Sequence, residues 1–428
     1  MQGKALPGFR EFYPDDAALR NHIFSAWRGV AARYGFEEYD GPPLEPLELY
    51  TQKSGEEIVG QLYAFRDKGD RDVALRPEMT PTLARMVGAR AQALKKPIRW
   101  FAIPQLFRYE RQQRGRLREH FQLNMDIIGE SGALADAELI AAAIDVLRVL
   151  GLGPGDVRAR VSDRRVLQAL LSGAGLGADQ MGAAFTAIDR SERVPREALA
   201  EGLQKAGCSE QAIEGVFHVA GLKGLPAVQA ELGRTGKSEA GAPLAEAIGA
   251  LEAMGLGPFV EVDLTIVRGL AYYTGIVFEL FDVLKSLRAI CGGGRYDGLL
   301  KALGGVDLPA LGFGMGDVVL GELLKERGIA PAHATRLDCF LVPVGGDDLP
   351  VVLKLAHELR DQGLGVEYGL RLAAVRKQLE LAAARGVAYA VIVGPNERAQ
   401  GEVVIRDLGG GSERRVPLGQ VAQSVRAQ

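Results

Sequence analysis

Phe107-Arg108-Tyr109-Glu110-Arg111-Gln112-Gln113-Arg114-Gly115-Arg116-Leu117-Arg118-Glu119-His120-Phe121-Gln122 is the stretch whose reading decides the fold. Aromatic and charged residues alternate at its start, so on a strand Arg108 and Glu110 share one face. An arginine run containing Gly115 follows, and the apolar residues from Leu123 to Ile128 predict a second strand that closes a hairpin. A face with Arg beside Glu can hold an anion and a hydrogen-bonding heterocycle at once. Arg108 suits a phosphate or carboxylate, and Glu110 suits an exocyclic amine. Taken alone, the same residues also fit a solvent-facing charged hairpin; the segments below weigh against that.

The 428 residues exceed one core, which predicts two to three domains. A net charge of −3 argues against a chain coated by nucleic acid, while leaving room for a local basic groove. Cys208, Cys291 and Cys339 fit neither a zinc spacing nor a disulfide framework, which predicts a reducing compartment. The first residues carry no apolar signal region, and no run is long enough to span a bilayer, so the cytoplasm is expected.

Leu19, Ile23, Trp27, Val30 and Tyr34 fall at helical spacing, predicting a helix over 15–34. Strands are predicted at 72–75 and 98–103, and helices at 135–150 and 318–327. From about 162 to 255 alanine, leucine and glycine dominate and strand formers thin out, which predicts a helical insertion. Strand patterns return at 259–262, 277–281 and 288–291. Beyond 329–334, a plausible linker, strands and helices alternate, predicting a small α/β domain with a largely parallel sheet. The expected domains are thus 1–161 and 256–330 (two parts of one core), 162–255 (helical) and 335–428.

Four further segments carry chemistry. Leu75-Arg76-Pro77-Glu78-Met79-Thr80 sets a carboxylate and a hydroxyl at a strand-to-helix junction, suited to an ammonium group or merely to capping the helix. Arg268-Gly269-Leu270-Ala271-Tyr272-Tyr273 joins a cation to paired tyrosines, whose hydroxyls can bond an imidazole nitrogen. Cys291-Gly292-Gly293-Gly294-Arg295-Tyr296-Asp297 offers bare backbone to a ligand. Gly312-Phe313-Gly314-Met315-Gly316 precedes a helix, so its amides are candidates to face an anion. It is not a dinucleotide fingerprint, and no lysine-bearing phosphate loop is present, so an ATP site here rests on an antiparallel sheet. Neither a metal-binding His/Glu cluster nor a serine elbow is found.

Together these segments resemble the histidyl-tRNA synthetases, a class II aminoacyl-tRNA synthetase family. The likeness runs from Gly8-Phe9-Arg10-Glu11 through the core, the helical insertion and the C-terminal domain. It implies an α+β core with an antiparallel class II sheet, a helical insertion, and a C-terminal α/β anticodon-binding domain. The segments around Leu359-Arg360, Gln378-Leu379 and Gly394 carry the last of these. The implied activity is ATP-dependent ligation of L-histidine to tRNA(His) through histidyl-adenylate, with Mg²⁺ accompanying ATP. The stretch from the first helix to Pro46 resembles the class II dimer motif, implying a homodimer.

Residue by residue, the resemblance implies that Arg108 and Arg268 are catalytic. Histidine would be held by Glu78, Thr80, Gln122, Asp126, Tyr273 and Tyr296. ATP would be held by Arg108, Glu110, Arg116, His120, Arg268, Gly314 and Gly316. Three departures stand out: Val319 replaces an arginine of the third class II motif, Ala271 replaces an aspartate, and His120-Phe121 inverts the usual order. The first leaves a triphosphate short of a cation, for which Arg114, Arg116, Arg118 and Arg295 are the expected substitutes. The second and runner-up reading is the non-catalytic regulatory paralogue that partners ATP phosphoribosyltransferase. A third is a ligase joining histidine to something other than tRNA. The C-terminal domain weighs against both.

Overall fold

A computed structural model describes residues 3, 5–51, 59–110, 115–268, 273–284, 287–331 and 337–426. The chain separates into two compact units, Met1–Pro331 and Ala332–Gln428.

The first unit is built on one large mixed sheet. In spatial order its strands are Glu37–Glu38, Ile98–Ala102, Glu119–Ile128, Ala310–Gly316, Cys291–Arg295, Ile276–Asp282, Val157–Asp163 and Val260–Val262. The short strand Gln105–Phe107 also pairs with Glu119–Ile128. Pairing is antiparallel throughout the centre and parallel only at the two outer pairs. Helices Pro14–Arg33, Ala133–Val149 and Asp317–Glu326 bury one face of this sheet with Trp27, Ile144 and Leu320. Apolar burial of this kind contributes roughly 25 cal/mol per Å² to stability.

Helices fill the alanine-rich stretch, from Arg164–Gly173 to Ala242–Ala253. Asp163 starts the first of them, its carboxylate accepting from Arg165 N at 2.8 Å. Leu167, Val216 and Leu251 join the same apolar core as the sheet. A separate antiparallel sheet of Leu44–Pro46, Asp72–Leu75 and Tyr63–Arg66 delivers the chain to Arg76 and Glu78.

The second unit is a five-stranded sheet, ordered Val366–Tyr368, Cys339–Pro343, Tyr389–Val393, Glu402–Asp407 and Glu413–Pro417. The first three are parallel and the last two antiparallel. The expectation of a largely parallel sheet therefore holds for only part of it. In the final hairpin Glu413, Arg414 and Arg415 are exposed and carry no apolar alternation, whereas Val403 and Ile405 of the other strand alternate into the core and were overlooked.

The sequence also misplaced two features that matter for the site. Strand Gln105–Phe107 ends before Arg108, so Arg108 and Glu110 are not paired by strand alternation. The chain turns instead, Glu110 N donating to Arg108 O at 2.8 Å. The glycine run is neither a turn nor the sequel to a strand at 288–291; Cys291–Arg295 is itself a central strand. Glycine's poor strand propensity hides such an element, which survives because its neighbours require bare backbone.

Candidate active site

Alternation along Glu119–Ile128 sorts its side chains. Leu123, Met125 and Ile127 enter the core, while His120, Gln122, Asn124 and Asp126 face a cleft of about 1330 Å³. The ladder register gives this wall a ruler: Asp126 lies opposite Gly312, Asn124 opposite Gly314, and Gln122 opposite Gly316. Gly314 is next to Gly292, Gly292 to Glu279, and Glu279 to Arg160, completing one row across five strands. Side chains thus form the two walls and glycines the floor.

The floor has to be glycine. A Cβ on Gly292 would overlap the Arg268 guanidinium, one on Gly312 the Asp126 carboxylate, and one on Gly314 the Gln122 amide. The amides of Gly312–Gly316 belong to the sheet ladder, flanked on both sides, so they do not form the anion-facing helix start expected of that tract. Gly314 serves the cleft through its missing side chain.

All thirteen residues assigned to the site from sequence line this one cleft. Arg268 reaches over the floor, Nη1 donating to Glu279 Oε1 at 2.6 Å. Burial opposes its charge, but Tyr273 and Glu279 outweigh that and its pKa rises. Its backbone φ of 61° is left-handed, an unusual state for a non-glycine residue that tends to occur at functional positions. Gly269, Leu270, Ala271 and Tyr272 lie outside the described residues. Tyr273 is buried, with the Arg268 guanidinium 5.7 Å from its ring centre.

At the Gly312 end the Tyr296 hydroxyl donates to Asp126 Oδ1. Burial pushes the Asp126 carboxyl up to about 7, and the Tyr296 bond only partly offsets it. Near neutrality this acid therefore sits between its charged and neutral forms. Asn124 Oδ1 and Arg268 Nε are buried without a hydrogen-bond partner among the described residues, a state that protein interiors rarely tolerate outside binding sites.

Along the wall His120 Nε2 lies 3.2 Å from Gln122 Oε1. Burial, followed by the charge of Arg108, lowers the imidazole pKa to about 4, so His120 is neutral at physiological pH. Arg108 Nε donates to Pro77 O at 2.8 Å, tying the hairpin to the Glu78 segment. Arg76 holds that segment from behind, donating to Asp40, Gly41 O and Gln105 O. Thr80 begins helix Thr80–Arg90 without a side-chain cap, so capping does not account for it. Glu110 is buried and ion-paired with Arg116.

Of the expected substitute cations, Arg116 alone among the described residues faces the cleft. Arg295 is buried behind the sheet against Asp136, at 2.6 Å, and the carbonyls of Glu130 and Gly132. Arg118 lies over the Tyr109 ring at 4.0 Å and donates to Pro7 O and Glu110 O. Arg114 is outside the described residues. The sequence reading also overlooked Arg160, Glu279 and Arg288, which line the cleft. A lone charge between apolar neighbours was the available signal for Glu279, whereas Arg160 shares its strand with Arg158 and Asp163 and carried no such signal. Arg10 was missed as well: its guanidinium bridges Glu119 at 2.6 Å and Asp317 at 2.8 Å, and Asp317 accepts from Phe121 N. That network fixes helix Asp317–Glu326 against the hairpin.

No helix among the described residues is long and apolar enough to cross a membrane. Residues 8–316 match the histidyl-tRNA synthetase family, and residues 338–428 match the anticodon binding domain. A histidine–tRNA ligase of Opitutus terrae is 47% identical, with 99% of this chain and 98% of that protein aligned. The chloroplastic/mitochondrial histidine–tRNA ligase of Arabidopsis thaliana is 42% identical over 96% of this chain and 84% of its own length. The crystal structure of a histidyl-tRNA synthetase from a Nostoc species shares the fold, with a TM-score of 0.88 at 24% identity, covering 100% of this chain and 99% of that one. With most of its length matched by one family and a relative almost half identical from end to end, this chain belongs to the histidyl-tRNA synthetase family.

Proposed function

We propose that the chain is a histidine–tRNA ligase that activates histidine with ATP and transfers it to tRNA(His). The carrying observation is the glycine floor, over which Arg268, Gln122 and Asp126 all lie. Histidine sits at the Gly312 end. Its imidazole carries one donor and one acceptor, and the Asp126–Tyr296 pair supplies the complements. Glu78 and Thr80 take the ammonium group.

The carboxylate of histidine attacks the α-phosphorus of ATP. A new P–O bond forms, the bond to the β-phosphate bridge breaks, and pyrophosphate leaves. Arg108 and Arg268 neutralise the carboxylate and α-phosphate, and their fixed positions lower the barrier without reorganisation. Mg²⁺ arrives as part of the nucleotide substrate. Among the described residues no group of three or more His, Cys, Asp or Glu side chains is placed to cage a metal. Neutral His120 stacks on adenine and Glu110, shared with Arg116, accepts from its amine. The terminal ribose hydroxyl of tRNA then attacks the acyl carbon and AMP departs.

The match of 338–428 to the anticodon binding domain supports tRNA as the acceptor over the regulatory reading. A homodimer through the segment ending at Pro46 and a cytoplasmic location complete the proposal. ATP–pyrophosphate exchange across the proteinogenic amino acids tests it: exchange with histidine alone, followed by charging of tRNA(His), is expected. Exchange with no amino acid would reject the enzyme.

A further inference from the structure

Arg288 lies in no segment to which the sequence assigned chemistry, yet it lines the cleft. Two residues on, Ile290 O accepts from Gly316 N at 3.4 Å, one residue before helix Asp317–Glu326 begins. Val319 occupies the first turn of that helix and also lines the cleft. On its other side comes Gly115, where a Cβ would lie 3.3 Å from Val319 Cγ2, and Arg116 follows directly. Arg288 and Arg116 thus flank the Val318–Val319 part of the helix's first turn from two directions, its Asp317 being held by Arg10. Arg193, from the helical stretch, lines the same part of the cleft rim.

These guanidinium groups feel one another. Partial burial, then the charge of Arg116, lowers the pKa of Arg288; Arg193 adds to this, and Glu110 opposes it. Arg116 pairs with Glu110 and Arg193 with Asp189 at 3.7 Å, yet three guanidinium groups on one cleft rim still raise the local positive potential, which favours a multiply charged anion. Four strand residues separate Gly316 from Gly312, roughly 13 Å, so the group bound here is not the amino acid at the Asp126 end.

We propose that Arg288 binds the β,γ-phosphate end of ATP, and the pyrophosphate it becomes, acting with Arg116 beside the apolar helix start at Val319. The assignment rests on the reading of the cleft as a histidine-activating site. Arg288 supplies, from the segment just before the neighbouring strand, a cation that the first turn of the helix lacks. It holds the leaving group as negative charge grows on the bridging oxygen, so it contributes to the rate as well as to affinity.

The test uses the full-length protein with Arg288→Ala and Arg288→Lys. Exchange kinetics report kcat and KM for ATP, histidine and pyrophosphate, and calorimetry reports binding of a histidyl-sulfamoyl adenosine, which lacks the β- and γ-phosphates. For Arg288→Ala, kcat/KM for ATP should fall about 100-fold and the KM for pyrophosphate should rise about tenfold or more. Histidine KM and affinity for the adenylate mimic should stay within about twofold. Arg288→Lys should recover part of the loss as a point charge without the fork. ATP and pyrophosphate parameters within about twofold of wild type would overturn the proposal, and so would an equal loss of mimic binding. A wild-type protein that neither exchanges with histidine nor binds the mimic would instead reject the activity on which the assignment rests.

Discussion

At the Gly312 end of the cleft Asp126 is 5% exposed and Tyr296 3%, whereas at the Gly316 end the Arg116 side chain is 41% exposed and Arg288 is exposed. Under the proposed function the two ends recognise their ligands by different physics. In the buried end a donor and an acceptor are held in fixed positions away from water, and a ligand lacking the matching groups would leave them unsatisfied. That arrangement discriminates one side chain from another. In the open end several cations share solvent with their ligand, which favours high negative charge but reads little of its shape. A nucleotide common to many enzymes needs no finer selection, and histidine does.

Arg268 lies over the floor between these ends, so removing it should have the largest effect. Arg268→Ala is expected to lower pyrophosphate exchange about 10³-fold while circular dichroism stays native. Full-rate exchange would dissolve the link between the two ends. Gly292→Ala attacks the same contact from below, because its Cβ claims the volume of the guanidinium. A loss of about 100-fold is expected, and a wild-type rate would mean that the floor need not be bare. Tyr296→Phe separates the ends: KM for histidine should rise about 10- to 100-fold, with KM for ATP unchanged. If both constants rose together, the buried end would not be specific to the amino acid.

The smallest effect is a pH dependence of stability. Asp126 holds its proton up to about 7 in the fold, against 3.8 for an unperturbed group. Over that interval the folded chain binds more protons than the unfolded one, so stability falls as pH rises. Asp126→Asn carries no charge at any pH and removes this slope. Its melting temperature should exceed wild type at pH 8 by about 2–4 °C, with the gap narrowing as pH falls below 7 and closing only as it approaches 3.8. Parallel melting profiles from pH 5 to 8 would show that Asp126 is ionised throughout.

Much of the architecture was legible because periodicity reports burial. Leu19, Ile23, Trp27 and Val30 repeat at helical spacing, and helix Pro14–Arg33 buries all four. The exposed final strand Glu413–Pro417 carries no such record and was missed, while its partner Glu402–Asp407 was overlooked although Val403 and Ile405 alternate into the core. The site residues were legible as motifs, each short and local. What joins them was not: Gly292 and Gly314 make sense only once Arg268 and Gln122 are seen lying over them. Arg295 shows the converse, since an arginine inside a promising motif turned out to hold Asp136 behind the sheet.

The sequence by itself determined the order of helices and strands, the antiparallel core, the family likeness and the residue types that meet a carboxylate, a phosphate and an imidazole. The element order and the residue types follow from local propensity, apolar spacing and functional-group chemistry, and the antiparallel core from the family likeness, all carried by neighbours along the chain. Only the tertiary structure decided which of the candidate cations faces the cleft, why two adjacent strands carry glycine on one face, and that burial raises the Asp126 pKa. Those outcomes depend on cross-strand register and on the removal of water, which bring together groups far apart along the chain.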